Sequence, residues 1–425
     1  MTRPSAPCML LFFLFRSAFA QQPAPPRAPA TRITLEQAIQ FALQHNHALD
    51  AARSTIVQNQ AQEITANLRP NPTLSWDSQF LPLFNLSQFN LSYLNNSAQF
   101  DLGIGYTIER GKKRQHRLQA AQDQTTVTRS QVADNQRTLT FNVSQQFVAV
   151  LLAQSMIDLA QQDLAGFQQT VELSEAQVRA GAISEGDAIK IKLQLLQFQT
   201  DVSSAKLAKV QALAAMRQFI GFESVPENYD VDGMLDYQPV HGDLEALKML
   251  AVNSRPDLLA ARQGVTAARS QESLAVSGGK RDLDVSFEYT HVSTINSGAF
   301  FFNMQIPIFD RNQGEIARTR AVITQAQELA AEANEQVMSD VLNAFEGVHT
   351  NDQVVTLYRS GYLDQTTQSR DISQYAYQRG AASLLDFLDA ERSYRANQLA
   401  YRQALAGYML TLEQLREAVG TRSLP

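Results

Sequence analysis

The sequence has little of several residues that common functional classes require. Of its 425 residues, one is cysteine (Cys8), six are histidine and one is tryptophan. A single thiol excludes internal disulfides and thiolate metal sites. Acidic residues outnumber basic ones, 42 to 36, which gives a formal net charge of −6. We expect no nucleic-acid partner, because such proteins need an excess of cations on the binding face.

Long hydrophobic runs are also missing beyond the N-terminus. The longest later run is residues 147–153, well short of the ~20 residues that a spanning helix needs. The first twenty residues predict a signal peptide, because Arg3 precedes an apolar core at 8–15 and Ala18-Phe19-Ala20 forms a small-x-small cleavage site. We expect an exported chain that begins at Gln21 with a Pro-rich tether over 21–32.

Catalytic signatures are missing as well. The sequence contains no phosphate loop, no G-x-S-x-G and no H-E-x-x-H. His45 and His47 are two positions apart, so a helix would place them on different faces, and we expect no shared metal ion. The basic run 110–117 follows a predicted strand and is interpreted as a strand-end cap. We expect neither an enzyme nor a cofactor.

What the chain does contain is an internal duplication. The stretch LEQAIQFALQHNHALDAAR (35–53) matches LEALKMLAVNSRPDLLAAR (244–262). Later, AGAISEGDAIKIKLQ (180–194) matches RGAASLLDFLDAERS (379–393). Collinear matches at both ends predict two tandem repeats. Their expected bounds are 33–221 and 242–420, with a linker at 222–241 and a tail at 421–425.

Each repeat contains residues that alternate between apolar and polar. The pattern predicts four strands of ~10 residues, a length that crosses a bilayer when tilted. Alternation alone equally allows two hairpins packed on a soluble core. If the strands lie in a membrane, the lipid-facing residues are Phe100, Leu102, Ile104, Phe302 and Met304. The lumen-facing residues are then Asp101, Asn303 and Gln305.

Two long stretches without proline, 112–179 and 313–379, predict helices far longer than those of ordinary globular domains. Apolar residues recur in them at 4-3 spacing, which favours helices packed side by side in a wall. The second seam is Val337, Val341, Ala344, Val348, Asn351, Val355, Tyr358 and Tyr362. Four strands cannot close a barrel, and open sheet edges are not tolerated in lipid. Several chains would therefore have to share one barrel.

These residues resemble the TolC-like outer-membrane efflux protein family, the outer membrane factors of tripartite efflux pumps, and the heavy-metal efflux type is one subfamily that this resemblance suggests. The resemblance covers about residues 33–420. Its carriers are the repeat openings, the turns VRAGAIS and YQRGAAS, and the strand-to-helix joints at 106–117 and 306–321. It implies a mainly α fold with a small β part, in which a homotrimer forms a 12-stranded β-barrel above a long α-barrel.

The resemblance also implies a function, a location and partners. The chain would be an outer-membrane exit duct of a Gram-negative-type bacterium, with a large periplasmic part in contact with a periplasmic adaptor and an inner-membrane transporter. Its β-barrel would contact outer-membrane lipid. Two alternatives stay open: the outlet of a type I protein secretion system, and a soluble periplasmic coiled-coil adaptor. The residues leave the cargo open between drug, metal ion and protein.

The resemblance assigns site residues to the two helix–helix turns. Asp386 and Asp389 match positions that form acidic rings at the channel aperture, and Asp187 is the first-repeat counterpart. Gly181, Gly380, Tyr377 and Arg379 are expected at the tip and in the adaptor contact. The competing interpretation is that the carboxylates only begin a helix, where they complement its dipole.

Overall fold

The computed structural model describes residues 31–240 and 242–424, and the predicted signal peptide lies outside them. The first half contains α1 (Leu35–His45), α2 (His47–Asn67), β2 (Thr73–Gln79), α3 (Leu91–Asn96), β3 (Gln99–Ile108), α4 (Lys113–Arg179) and α5 (Glu185–Ile220). The second half contains α6 (Leu244–Ser254), α7 (Pro256–Gly278), β5 (Leu283–Val292), β6 (Ile295–Asn303), α8 (Gln313–Leu357), α9 (Leu363–Gln378) and α10 (Leu384–Val419). The two halves repeat one order of elements, except that α3 has no counterpart in the second half and that α8 and α9 together take the place of α4. The short strands β1 (Arg32–Ile33) and β4 (Asp230–Val231) pair in parallel, so the chain before α1 is held against the linker.

The helix starts follow from local sequence. Thr34 accepts a hydrogen bond from the backbone of Gln37, whose side chain bonds back in a capping box. Asn46 caps α2 in the same position where the second repeat has Arg255 followed by Pro256. Thr34 and Asn46 accept hydrogen bonds from first-turn N–H groups that have no partner inside the helix. Pro256 has no N–H group, so its helix has one unpaired donor fewer. In each case the local sequence fixes where the helix begins.

The four long strands form one antiparallel sheet in the order β2-β3-β5-β6. The register places Trp76 opposite Leu102, and Ile104 opposite Phe287, so the apolar residues share one face. The polar face includes Gly105, where an added Cβ would lie 2.8 Å from Thr73 Oγ1. The predicted alternation is therefore present, with a crowded polar face and an apolar face that this chain leaves uncovered.

The last predicted strand is shorter than expected. Strand β6 ends at Asn303, so Met304, Gln305 and the residues up to Ile308 are outside the sheet. Pro307 has no N–H to donate to a ladder, and the backbone N–H of Ile308 bonds to the carbonyl of Ile306 instead. The expectation that Met304 and Gln305 occupy strand faces is therefore wrong.

The first predicted long helix is confirmed, and the second is broken. Helix α4 runs without interruption for 67 residues. The second stretch is interrupted between α8 and α9 by a π-helical segment, Tyr358–Tyr362, in which Gly361 has φ 116°. That backbone conformation favours glycine. The predicted seam is present as far as Val355, which is fully buried. Tyr362 is 53% exposed, because the π-helical turn rotates its side chain away from the seam.

Among the described residues, one helix is apolar and long enough to cross a membrane, namely α4. More than half of its most apolar stretch is buried within the chain. Helix α4 packs between α5, α7 and α10, and its buried side chains include Val143, Phe147 and Val150. Its hydrophobicity is thus explained by helix packing.

Two apolar clusters lie near the middle of the long helices. One joins α1, α4 and the end of α5 to the linker through Phe147, Met216 and Tyr229. The other joins α6, α8 and α10 around Tyr408. A third cluster lies at the far end of the helices from the sheet and holds the candidate site together.

Candidate channel-tip site

The two predicted turns are close copies of each other. Gly181 has φ 70° and Gly380 has φ 73°, a conformation that glycine adopts at little cost. In each turn the following alanine donates its N–H back to the preceding helix, from Ala182 to Gln177 and from Ala381 to Ala376. These bonds end α4 and α9 as Schellman-type caps.

The next helices begin with matching caps. Ser184 accepts a hydrogen bond from the backbone N–H of Asp187 at 3.0 Å, and Ser383 accepts one from that of Asp386 at 3.2 Å. In both repeats the serine is therefore the N-cap residue of the helix, and the aspartate three residues later donates its backbone N–H to it. The two hairpins, α4–α5 and α9–α10, therefore have the same helix end, turn and helix start.

An aromatic stack joins the two hairpins. Phe198, Phe167, Phe387 and Tyr377 follow one another with ring centroids 4.6, 6.4 and 5.5 Å apart. Interplanar angles of 23°, 6° and 10° make these stacked contacts. The side chain of Gln177 also donates to the carbonyl of Gln378 at 3.3 Å. The two turns therefore lie side by side at one level.

Asp386 and Asp389 are exposed, the Asp187 side chain is 37% exposed, and each of the three carboxylates already has a local partner. Asp386 accepts from Ser383 Oγ at 2.7 Å and from its backbone N–H at 3.1 Å. Asp389 lies 3.6 Å from Arg392 in a strongly exposed pair. Asp187 lies 3.3 Å from Lys190. Within one chain the helix-start interpretation accounts for Asp386.

The pKa values of two of these groups are shifted for the same reason. Hydrogen bonds from Ser383, through its side chain and its backbone, hold the pKa of Asp386 below its ordinary value. The pKa of Asp187 is lowered by the Ser184 side chain and then by Lys190. Both groups therefore stay ionised well below neutral pH, and neither is poised for proton transfer there.

The other predicted tip residues separate into two environments. Tyr377 is 7% exposed, and its ring belongs to the aromatic stack. Burial, followed by the nearby charge of Asp187, raises the pKa of its hydroxyl. Arg379 lies on the surface, with its guanidinium 5.3 Å from the centre of the Tyr375 ring. Tyr377 is thus a packing residue, whereas Arg379 is free to contact a partner.

The sequence reasoning missed an ionic cluster above the stack. Arg395 lies 4.2 Å from the centre of the Phe198 ring, 3.3 Å from Asp163, and in contact with Asp201. Burial raises the pKa of Asp163 even though Arg395 opposes the shift. This cluster closes one end of a cavity of about 770 Å³ between α4, α5 and α10. Asp163, Asp201 and Arg395 lie on three different helices, so sequence periodicity carries no signal for this cluster.

No group of three or more His, Cys, Asp or Glu side chains suited to a metal ion occurs in the ranges 31–240 and 242–424. His45 ends α1 and His47 begins α2. The carboxylates at the tip are spread along an exposed surface. The geometry at this end of the described chain suits contact with water, ions and other proteins.

A comparison with known families decides the class of protein. The model of the outer membrane efflux protein family matches residues 38–222 and 248–421. The chain belongs to this family. It is thus an outer-membrane channel protein of efflux systems with a large periplasmic part, and the interpretation as a soluble adaptor is wrong.

Individual relatives agree with this assignment. The chain is 24% identical to the cobalt-zinc-cadmium resistance protein CzcC of Cupriavidus metallidurans over 392 residues, or 89% of this chain and 88% of that protein. It is 26% identical to the cation efflux system protein CusC of Escherichia coli over 60% of this chain and 58% of that protein. A crystal structure of CusC superimposes with a TM-score of 0.76 at 18% identity and covers 99% and 98% of the two chains. The fold is shared over nearly its whole length.

Proposed function

We propose that three copies of this chain assemble into one exit duct, with twelve strands in the outer membrane and the long helices in the periplasm. The observation that carries the proposal is the uncovered sheet. Its apolar face exposes 68% of Trp76 and 67% of Phe302, and the outer edges of β2 and β6 have no strand partner among the described residues. Lipid can cover such a face, but only other strands can satisfy such edges.

The tip of the duct is the proposed place of contact with the rest of the pump. A periplasmic adaptor would meet the turns at Gly181 and Gly380, with Arg379 available on the surface. An inner-membrane transporter would deliver cargo through that adaptor. The exposure of Arg379 and the level position of both turns support this arrangement.

The aperture is proposed to be acidic. Three-fold symmetry would bring three copies of Asp386 and Asp389 towards one axis, with Asp187 on the neighbouring hairpin. Exposed carboxylates that stay ionised attract cations and disfavour anions. The serine caps place Asp187 at the start of α5 and Asp386 at the start of α10, next to the two turns.

The proposed cargo is a metal cation. The support comes from two relatives, which are described as a cobalt-zinc-cadmium resistance protein and a cation efflux system protein. A duct needs no tight cation site, since conduction requires weak binding that releases the ion. The exposed carboxylates of the tip fit that requirement.

Growth of a strain that lacks this gene tests the proposed cargo. We expect lower tolerance to cobalt, zinc or cadmium salts, unchanged tolerance to uncharged dyes and antibiotics, and recovery with the intact gene. An Arg379→Glu variant should fail to restore growth although it reaches the outer membrane. A deletion that sensitises cells only to organic compounds would overturn the metal assignment.

A further inference from the structure

The loop between β2 and β3, residues 80–98, presents large apolar side chains that nothing in the described chain covers. Phe84 is fully exposed. The other members of this patch, each more than half exposed, are Leu83, Leu86, Phe89 and Leu91. Single apolar residues are common on protein surfaces, whereas a contiguous patch marks a surface that binds another protein or a membrane. We call this segment the apolar loop.

The apolar loop also lacks charge. Residues 78–100 contain no Asp, Glu, Lys, Arg or His, although 18% of the whole chain is charged. The polar side chains of the loop are amides and hydroxyls, such as those of Asn85, Asn90 and Tyr93. A charged side chain is costly next to hydrocarbon, whereas an uncharged amide or hydroxyl is tolerated at the membrane boundary. The composition therefore favours a membrane over a charged protein partner.

The apolar loop lies at the end of the sheet away from the long helices. Helix α2 leads into the start of β2, and α4 follows the end of β3. The loop joins the opposite ends of these two strands, from Gln79 to Gln99. In the proposed duct the helices are periplasmic. This end of the sheet then lies at the outer leaflet of the outer membrane.

The apolar face of the sheet continues into the loop. Trp76 and Phe100 lie on that face near the loop, with ring centroids 6.3 Å apart, and Phe80, the first loop residue, is more than half exposed. On the same face of β5, the Tyr289 hydroxyl donates to Asn296 Oδ1 at 2.7 Å. A tyrosine with an apolar ring and a bonded polar tip is typical of the membrane–water boundary. The loop thus begins close to the height of the headgroups.

The polar face at the same end makes an inward fold of the loop unfavourable. Asp77 lies on that face, opposite Asp101, and is exposed. Its carboxylate accepts a hydrogen bond from the Gln79 side chain at 2.6 Å. Leucine and phenylalanine side chains folded over this carboxylate would remove its water, which costs free energy. Folded outward, the same side chains extend the surface that lipid covers.

The backbone of the apolar loop forms hydrogen bonds within the loop itself. Asn90 accepts from the N–H of Tyr93 at 2.9 Å and so begins α3. The N–H of Ala98 bonds to the carbonyl of Tyr93 at 3.2 Å, and that of Asn85 bonds to the carbonyl of Pro82 at 3.1 Å. Backbone groups with local partners cost less to bring near lipid. This bonding suits a segment that rests on a membrane.

We infer that the apolar loop folds outward onto the outer membrane, with Phe84, Leu86 and Leu91 among the acyl chains of the outer leaflet. Its amides and hydroxyls then lie among the headgroups. The inference rests on the proposed duct, which places the sheet in that membrane. Three copies of the loop form an apolar collar around the mouth, which fixes the depth of the barrel in the bilayer.

Fluorescence quenching tests the position of the loop, because Trp76 is the only tryptophan of the chain. The full chain is reconstituted in phosphatidylcholine vesicles whose acyl chains carry bromine, which quenches tryptophan on contact. Iodide serves as the quencher in water. The loop variants are Trp76→Phe/Phe84→Trp and Trp76→Phe/Leu91→Trp. The matched control is Trp76→Phe/Gln79→Trp, whose tryptophan is on the polar face at the same end of the sheet. The unsubstituted chain reports on the apolar face.

We expect brominated chains to quench both loop variants by a fraction similar to that for Trp76, and most strongly when the bromine is near the headgroup. Iodide should quench the Gln79→Trp control strongly and the loop variants weakly. Loop variants that respond to iodide and not to bromine, or to neither, would refute the lipid contact and leave the proposed duct intact while Trp76 responds to bromine. Absence of the bromine response at Trp76 as well would also overturn the lipid-facing sheet on which the duct depends.

Discussion

At the scale of single residues, a buried arginine joins three helices of the second repeat. The Arg255 side chain is 4% exposed and lies 2.5 Å from Asp257 and 2.7 Å from Asp340. It also donates to the carbonyl of Ala418 at 3.3 Å. It thereby links the start of α7, the middle of α8 and the end of α10. Asp257 also lies 4.0 Å from Arg137, so Asp340 is the carboxylate that relies most on Arg255.

We expect Arg255→Ala to lower the free energy of unfolding by about 3–5 kcal/mol, because it leaves the partly buried Asp340 without its counterion and Asp257 with only the more distant Arg137. Arg392→Ala removes an exposed pair with Asp389 and should cost less than about 1 kcal/mol. Denaturant unfolding of the detergent-solubilised protein measures both. Similar losses for the two variants would show that burial of Arg255 does not matter.

Asp163 predicts a pH dependence. Burial raises its pKa above the ordinary value of 3.8 in the folded chain, so the native state binds more protons than the unfolded state in that range. Its contribution to stability is present below pH 3.8 and is lost as pH rises through the raised pKa. Asp163→Asn should therefore gain stability relative to the wild type as pH rises. Unfolding free energies across that range measure it, and a difference that does not change with pH would contradict the assignment.

At the scale of elements, the two faces of the sheet should respond differently to one change. Ile104 is on the apolar face of β3 and 56% exposed. Ser286 is on the polar face of β5, opposite Gly105. Ile104→Arg should cost ~2–4 kcal/mol if it lies near the bilayer midplane, and Ser286→Arg much less. Unfolding in lipid vesicles measures both. Equal tolerance would mean that Ile104 does not face lipid.

Much of the element order could be predicted because it depends on local chemistry. Alternating residues marked β3 and β5, and 67 residues without proline marked α4. Serine three residues before Asp187 and Asp386 is a local capping signal for two helix starts that the sequence analysis did not use. The break at Gly361 could not be predicted, because a glycine inside a long helix is often tolerated. Here Gly361 takes a positive φ of 116°, which separates α8 from α9.

The candidate site was predicted less completely than the fold. The turns and their carboxylates follow from the duplicated motif, and the structure places both turns at one end of the helices. The stack of Phe198, Phe167, Phe387 and Tyr377 depends on contacts between residues far apart in sequence, which periodicity does not reveal. The acidic aperture needs neighbouring copies, so it stays a prediction.

At the scale of the whole molecule, the aperture can be tested by conductance. Asp386→Asn/Asp389→Asn keeps a capping acceptor and removes the charges, so the helix start should survive. We expect weaker cation preference and weaker block by divalent ions in planar bilayers. The difference from the wild type should shrink at high salt, because exposed charges are screened within ~10 Å at 0.1 M. Unchanged ion preference would leave the carboxylates as helix-start residues only.

The central claim is that three copies share one barrel and one helical wall. Its most direct test is the mass of the detergent-solubilised protein, determined by native mass spectrometry or by complete chemical crosslinking. A four-stranded sheet with two open edges predicts a complex of several chains, and the family resemblance implies that the number is three. A monodisperse single chain with native circular dichroism would contradict the account.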